Sequence, residues 1–190
     1  MKIGVDLDGV CADFNDGWQN HYFNWFGRCV DSRHADEWNA PLEASHFETE
    51  EEFWGWIDLI PGFWSGLDVI PGALGTLMGL HAAGHRMVAV TSRHEKTKQQ
   101  TYLWLKTNGF LAFVDGVQHL HKSAKHEAGC DVYIDDNPVV LRHLREQGIE
   151  TIRFERPWNY GTKATAVARS WADVPRLVTA MASGRTDEEG

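Results

Sequence analysis

The first apolar run of the chain, Ile3-Gly4-Val5 with Leu7, is short and almost continuous, and it breaks into Asp6, Asp8 and Gly9. A run of this kind predicts a parallel strand buried on both faces. Beyond it, Phe14, Trp18, Tyr22, Trp25 and Phe26 recur at helical spacing, with Asp13 placed as N-cap and Gly27 as stop. A polar, irregular stretch continues to about residue 48. Thr49 and Glu52 then form a capping-box pattern ahead of Phe53, Trp56 and Ile57, and Pro61-Gly62 ends that helix.

From residue 71 the pattern alternates. Pro71 sits as a first helical residue, Leu74, Leu77 and Met78 make one apolar stripe, and Gly84 closes the helix. "RMVAVT" reads as a second buried strand, residues 94–108 as a helix closed by Gly109, and "CDVYIDD" as another strand. Asn137-Pro138 caps a helix running to Gly148, "ETIRF" makes a further strand, and Asp173 starts a last helix before a solvated "SGRTDEEG" tail. Strands alternating with helices predict an α/β fold with a parallel sheet covered on both faces. The expected division is a doubly wound, Rossmann-like core (1–13 and 73–190) interrupted by an aromatic-rich helical insertion (14–72).

Composition sharpens this division. Of the nine tryptophans, Trp18, Trp25, Trp38, Trp54, Trp56 and Trp64 all lie in the insertion. A formal charge of −9 argues against a nucleic-acid polymer as partner, because gripping a phosphate backbone needs basic surface. It leaves room for a small phosphorylated substrate, since a bound divalent cation inverts the local field. Cys11, Cys29 and Cys130 lack a CxxC spacing, which points away from a disulfide framework or zinc site and toward a reducing compartment. With a strand predicted from residue 2 and no apolar run of membrane-spanning length, the expected location is the cytoplasm. The assembly is left open between monomer and homodimer.

Three of the predicted strands end in polar groups: Asp6 and Asp8, Thr91-Ser92, and Asp135-Asp136. Ligands of such sheets sit beyond the carboxyl ends of the strands. Carboxylates gathered there repel one another and imply a cation or a shared proton. Oxygen-only ligands favour magnesium. A carboxylate beside a magnesium-bound phosphate can act as nucleophile, and an acid two residues on can protonate the leaving alkoxide. A hydroxyl and a lysine ammonium can hold the remaining phosphate oxygens.

"DLDGV", "VTS", a lysine and "YIDD", in that order, resemble the four motifs of the haloacid dehalogenase superfamily of phosphohydrolases. The resemblance implies Asp6 as nucleophile, Asp8 as general acid/base, and Ser92 or Thr91 as the phosphate-binding hydroxyl. It implies magnesium held by Asp135, the Asp6 carboxylate and the Asp8 backbone carbonyl, with Asp136 in support. The segment "PGFWSGLDVIPGAL" is similar to the return into the core of the 5′(3′)-deoxyribonucleotidases. In those enzymes a helical cap follows the first strand and its aromatics pack on the nucleobase, positions matched here by Phe14, Phe63 and Trp64. Lys125, ten residues before Asp135, is the expected phosphate-site lysine, and Lys122, thirteen before, is the alternative. Arg93-His94-Glu95 departs from the mammalian-type pattern, and Arg93 reads either as a bidentate phosphate contact or as a solvent-facing residue.

Each motif also has a plainer reading. Asp6 and Asp8 make an ordinary turn, Thr91, Ser92 and Asp135-Asp136-Asn137 make helix caps, and either lysine can be solvated. Trp18, Trp25 and Trp56 read as packing within the insertion. His119 and His121 share a face if that stretch is extended, without a third metal ligand. The expected function is magnesium-dependent hydrolysis of a nucleoside monophosphate, most of all a deoxyribonucleotide, through an aspartyl-phosphate. The alternatives are a phosphatase of another small metabolite, a phospho-acceptor switch without turnover, and an idle scaffold.

Overall fold

In the computed structural model, which describes residues 1–30 and 45–184, the run ending in Asp6 forms strand β1 (Lys2–Val5) inside a six-stranded parallel sheet. The other strands are β2 (Arg86–Thr91), β3 (Val114–His119), β4 (Val132–Asp135), β5 (Glu150–Phe154) and β6 (Ala166–Ala168), in the order β3-β2-β1-β4-β5-β6. In register, Ile3 lies beside Met87 of β2 on one side and Val132 of β4 on the other. Strand order reverses between β1 and β4. The chain leaves these two strands in opposite directions, so a crevice opens at their carboxyl ends.

Local signals set the helices. Asp13 accepts the Asp16 amide and starts α1 (Phe14–Phe26), which Gly27 ends at φ 66. Thr49 and Glu52 close the predicted capping box on α2 (Glu50–Leu59). The remaining α-helices among the described residues are α3 (Ala73–Ala82), α4 (Lys98–Thr107), α5 (Pro138–Glu146) and α6 (Val174–Ala182). Asn137 caps α5 by accepting the amides of Val139 and Val140.

Alternation along β2 separates two apolar layers: Met87 and Ala89 enter one, Val88 and Val90 the other. The larger layer takes in Leu77 of α3, Trp104 of α4 and Val178 of α6, and the smaller is closed by Val140 and Leu144 of α5. Trp18 of α1 packs edge-on against Phe53 of α2, centroids 5.6 Å apart, and both belong to the larger layer. Helices α1 and α2 are therefore joined to the sheet by continuous apolar packing.

Several expectations need correction. Pro71 precedes α3 rather than opening it, because Gly72 takes the N-cap at φ 89. The buried stripe of α3 is Ala73, Leu77 and Leu80, while Met78 faces out. The helix expected over 94–108 begins with a 3₁₀ turn (Glu95–Thr97) before α4. Trp18 and Trp56 are buried as expected, but Trp25 is exposed. Strand β3 carries too little apolar character to announce itself and β6 is only three residues long, and both lie at sheet edges. His119 ends β3, whereas His121 lies beyond it and does not share its strand face. Trp38, most of the polar stretch before residue 48, and residues 185–190 of the tail lie outside the described residues.

Candidate active site

The carboxyl end of β1 is shaped by its loop. The Asp6 amide donates to Ile134 O at 3.0 Å, extending the pairing toward β4 by one residue. The Leu7 carbonyl then accepts the amides of Cys11 and Ala12, each at 2.7 Å. Gly9 sits in this loop at φ 77, and a Cβ there would stand 2.2 Å from Asp136 Oδ2. Both the dihedral and the space demand glycine.

Asp6, Asp135 and Asp136 come together at the crevice, with one oxygen of each within 4.8 Å of the others. Lys125, buried, reaches them from the 3₁₀ turn Lys125–Ala128, its Nζ 2.7 Å from Asp135 Oδ2 and 3.0 Å from Asp6 Oδ1. The Tyr133 hydroxyl pins the turn by donating to Lys125 O at 2.8 Å. Asp135 Oδ1 accepts the Asn137 amide at 2.9 Å. Asp6 Oδ1 also accepts the Leu7 amide at 2.8 Å, and Oδ2 carries neither of these contacts.

Burial pushes the Asp6 carboxyl up to about 7 against the pull of Lys125, and the charges of Asp135 and Asp8 add to the rise. Burial, then the charges of Asp6 and Asp135, drives Asp136 well above the ordinary carboxylate range. Burial alone would lower Lys125, but Asp135 and Asp6 outweigh it and hold the ammonium charged. Asp136 Oδ1 is buried with no hydrogen-bond partner among the described residues. A buried cluster of hard oxygen donors, with one oxygen unpartnered among the described residues, fits a small divalent cation of the magnesium type.

Asp8 points elsewhere. Arg93 Nε meets its Oδ2 at 2.8 Å and Nη2 meets its Oδ1 at 2.6 Å. Neither sequence reading of Arg93 survives: it is buried, so it does not face solvent, and its fork is filled by Asp8 rather than held open for phosphate. The Asp8 carboxylate is therefore not one of the converging three, and its backbone carbonyl remains as the atom the resemblance assigns to a metal. Thr91 is fully buried and its Oγ1 accepts the Arg93 amide at 3.1 Å, whereas Ser92 is exposed.

The three aromatics singled out from the sequence lie together. Phe14 stacks on Trp64 (centroids 5.7 Å, planes 19° apart) and meets Phe63 edge-on at 5.8 Å. Phe63 and Trp64 are only 2% and 7% exposed, so the open aromatic face belongs to Trp54, 42% exposed and 17° from the plane of Trp64.

The sequence reading also missed the loop after β5. Trp158 Nε1 donates to Asp136 Oδ2 at 3.0 Å, Asn159 donates to the Asp136 carbonyl at 2.8 Å, and Arg156 Nε donates to the Gly9 carbonyl at 2.8 Å. These contacts span 22 residues or more, beyond any local pattern. A Pro-Trp-Asn run after a strand was the one available signal.

Residues 1–183 match the family described as 5′ nucleotidase, deoxy (pyrimidine), cytosolic type C protein. A Chlorobaculum tepidum protein named "Putative 5′(3′)-deoxyribonucleotidase" is 32% identical over 203 residues, covering 95% of this chain and 91% of that protein. A haloacid dehalogenase-like hydrolase from Streptococcus pneumoniae superposes with a TM-score of 0.69 at 15% identity, over 93% of this chain and 97% of that one. A haloacid dehalogenase-family hydrolase from Deinococcus radiodurans, solved with bound phosphate and sodium, gives 0.65 at 17% identity over 97% of each chain. At these identities the two solved structures establish the fold. Among the described residues no helix is long and apolar enough to cross a membrane.

Proposed function

We propose, from the premise that this chain belongs to the family described as 5′ nucleotidase, deoxy (pyrimidine), cytosolic type C, that it dephosphorylates deoxyribonucleoside monophosphates through an aspartyl-phosphate on Asp6. It is a phosphatase of the haloacid dehalogenase type acting on a small phosphomonoester; the nucleotide class and the covalent route are the finer reading.

One observation carries that reading: a single buried ammonium, Lys125 Nζ, touches both Asp6 and Asp135 across the β1–β4 crevice. It holds Asp6 by Oδ1 and leaves Oδ2 to attack phosphorus. As that bond forms, the ester P–O bond breaks, and Asp8 gives its proton to the departing alkoxide. Asp8 then takes a proton from the water that attacks the phosphorus and frees Asp6. The Asp6, Asp135 and Asp136 carboxylates with the Asp8 carbonyl would hold magnesium, which when bound neutralises charge on the phosphate. The hydroxyls of Thr91 and Ser92 serve the non-bridging oxygens of the phosphoryl group. Residues 14–72 act as a cap, with Phe14, Phe63 and Trp64, extended by Trp54, on the side of the base.

A phosphate-release screen tests this, run over deoxy- and ribonucleoside 5′- and 3′-monophosphates and sugar phosphates, with magnesium and with a chelator. The expected result is magnesium-dependent, multiple-turnover release with deoxynucleotides preferred, and loss of the preference in Trp64→Ala. Faster turnover of sugar phosphates would sink the nucleotide reading, and undiminished release in chelator would sink the metal.

A further inference from the structure

We propose that Arg93 is the positioning residue for Asp8, fixing both oxygens of that carboxylate and tying their placement to the segment that carries Trp64. The inference rests on the reading of Asp8 as proton donor to the leaving alkoxide.

The geometry is that of a clamp. Nε and Nη2 of Arg93 take Asp8 Oδ2 and Oδ1 at 2.8 and 2.6 Å, two parallel charge-assisted bonds that set the plane of the carboxylate as well as its position. The remaining nitrogen, Nη1, donates to Thr101 Oγ1 at 3.3 Å and to Trp64 O at 3.5 Å. Cζ lies 4.8 Å from the centroid of the Trp64 ring, within cation–π range. The backbone is held as well: the Arg93 amide donates to Thr91 Oγ1 at 3.1 Å, and its carbonyl lies 3.0 Å from His119 Nδ1. Arg93 thus has β2, β3, α4 and the Phe63–Ser65 turn around it.

The burial of the pair is asymmetric. The Arg93 side chain is fully buried, whereas that of Asp8 keeps 24% of its surface. A guanidinium with every nitrogen engaged and no open face is poorly placed to meet substrate, while the carboxylate it orients remains accessible. Lysine would supply the charge but not the fork, so it could not fix the plane. Because Nη1 and the π-face both rest on Trp64, displacing that residue loosens Asp8 without touching it. In this way the segment after α2 controls where the acid stands.

A purely structural ion pair would cost all substrates alike when broken. A positioning role would not. An alkyl leaving group, as in thymidine 5′-monophosphate, needs its oxygen protonated as the P–O bond breaks, whereas p-nitrophenolate departs without that help. The constant kcat/KM reports the steps through leaving-group release, so the two substrates separate the roles.

The experiment measures kcat/KM on thymidine 5′-monophosphate and p-nitrophenyl phosphate for the wild-type protein, Asp8→Asn, Arg93→Ala, Arg93→Lys and Thr101→Val. Asp8→Asn should lose about tenfold or more on the nucleotide beyond its loss on the aryl ester. Arg93→Ala should show the same selective loss, Arg93→Lys a smaller one, and Thr101→Val a fraction of it. If Arg93→Ala unfolds, Arg93→Lys and Thr101→Val carry the test. Selective loss in Asp8→Asn with an even loss in the Arg93 and Thr101 variants overturns the proposal and spares the role of Asp8. An even loss in Asp8→Asn overturns both.

Discussion

The indole N–H of Trp158 donates to Oδ2 of Asp136 at 3.0 Å, which leaves Oδ1 of this buried carboxylate unpartnered among the described residues. A loop at one side of the sheet thereby aims an acid at the crevice between β1 and β4. Partners of this kind typically change metal affinity 10- to 100-fold. Trp158→Phe keeps the ring and removes the donor. It is expected to weaken magnesium binding about tenfold or more, measured by calorimetric titration of the metal-free protein. Unchanged affinity would show that Trp158 only packs.

Asp6→Asn removes the attacking oxygen while keeping the size of the side chain. Turnover is expected to fall on the order of 10⁴-fold or more, with the circular dichroism spectrum close to wild type. Near-normal phosphate release would exclude a covalent intermediate on Asp6.

The pH dependence of the metal-free protein follows from the same carboxyl. Asp6, ordinarily 3.8, is pushed up to about 7, chiefly by burial. Between those values the unfolded chain has lost its proton and the folded protein keeps it. The unfolded state then binds fewer protons, so stability falls as pH rises through this window, and Asp136 adds the same sign. In chelator the melting temperature should drop across that range. Magnesium should flatten the drop, and Asp6→Asn should make it shallower. A flat or rising profile in chelator would contradict the assignment.

Lys125 and Lys122 are three positions apart and should behave differently. Lys125→Met leaves buried carboxylates without their ammonium and is expected to cost about 3–5 kcal/mol in denaturant unfolding, with loss of activity. Lys122→Met is expected to stay within about 0.5 kcal/mol. Equal effects would mean that the buried pairings of Lys125 are energetically idle.

The interior strands were legible because each is an apolar run bounded by a breaker: "KIGV", "RMVAVT", "VYID" and "ETIRF" all became strands. The caps at Asp13, Thr49 and Asn137 were legible because a capping side chain acts within three residues of itself. Edge strands β3 and β6 were not, since β3 is mostly polar and β6, though apolar, is only three residues long, too short for a periodic signal. Phe63 and Trp64 were readable as a pair, but not that Trp54 would hold the open ring face.

Taken alone, the sequence determined an alternating α/β chain with carboxylates at its strand ends, because periodicity, capping and strand-end chemistry are all written within a few neighbouring residues. Tertiary structure decided how those ends are used. It drew Asp136 in with Asp6 and Asp135, turned the Asp8 carboxylate to Arg93, and brought Trp158 across 22 residues to Asp136. The physical reason is that a buried charge takes whichever partner the packed chain delivers, and sheet order and the loops set that delivery.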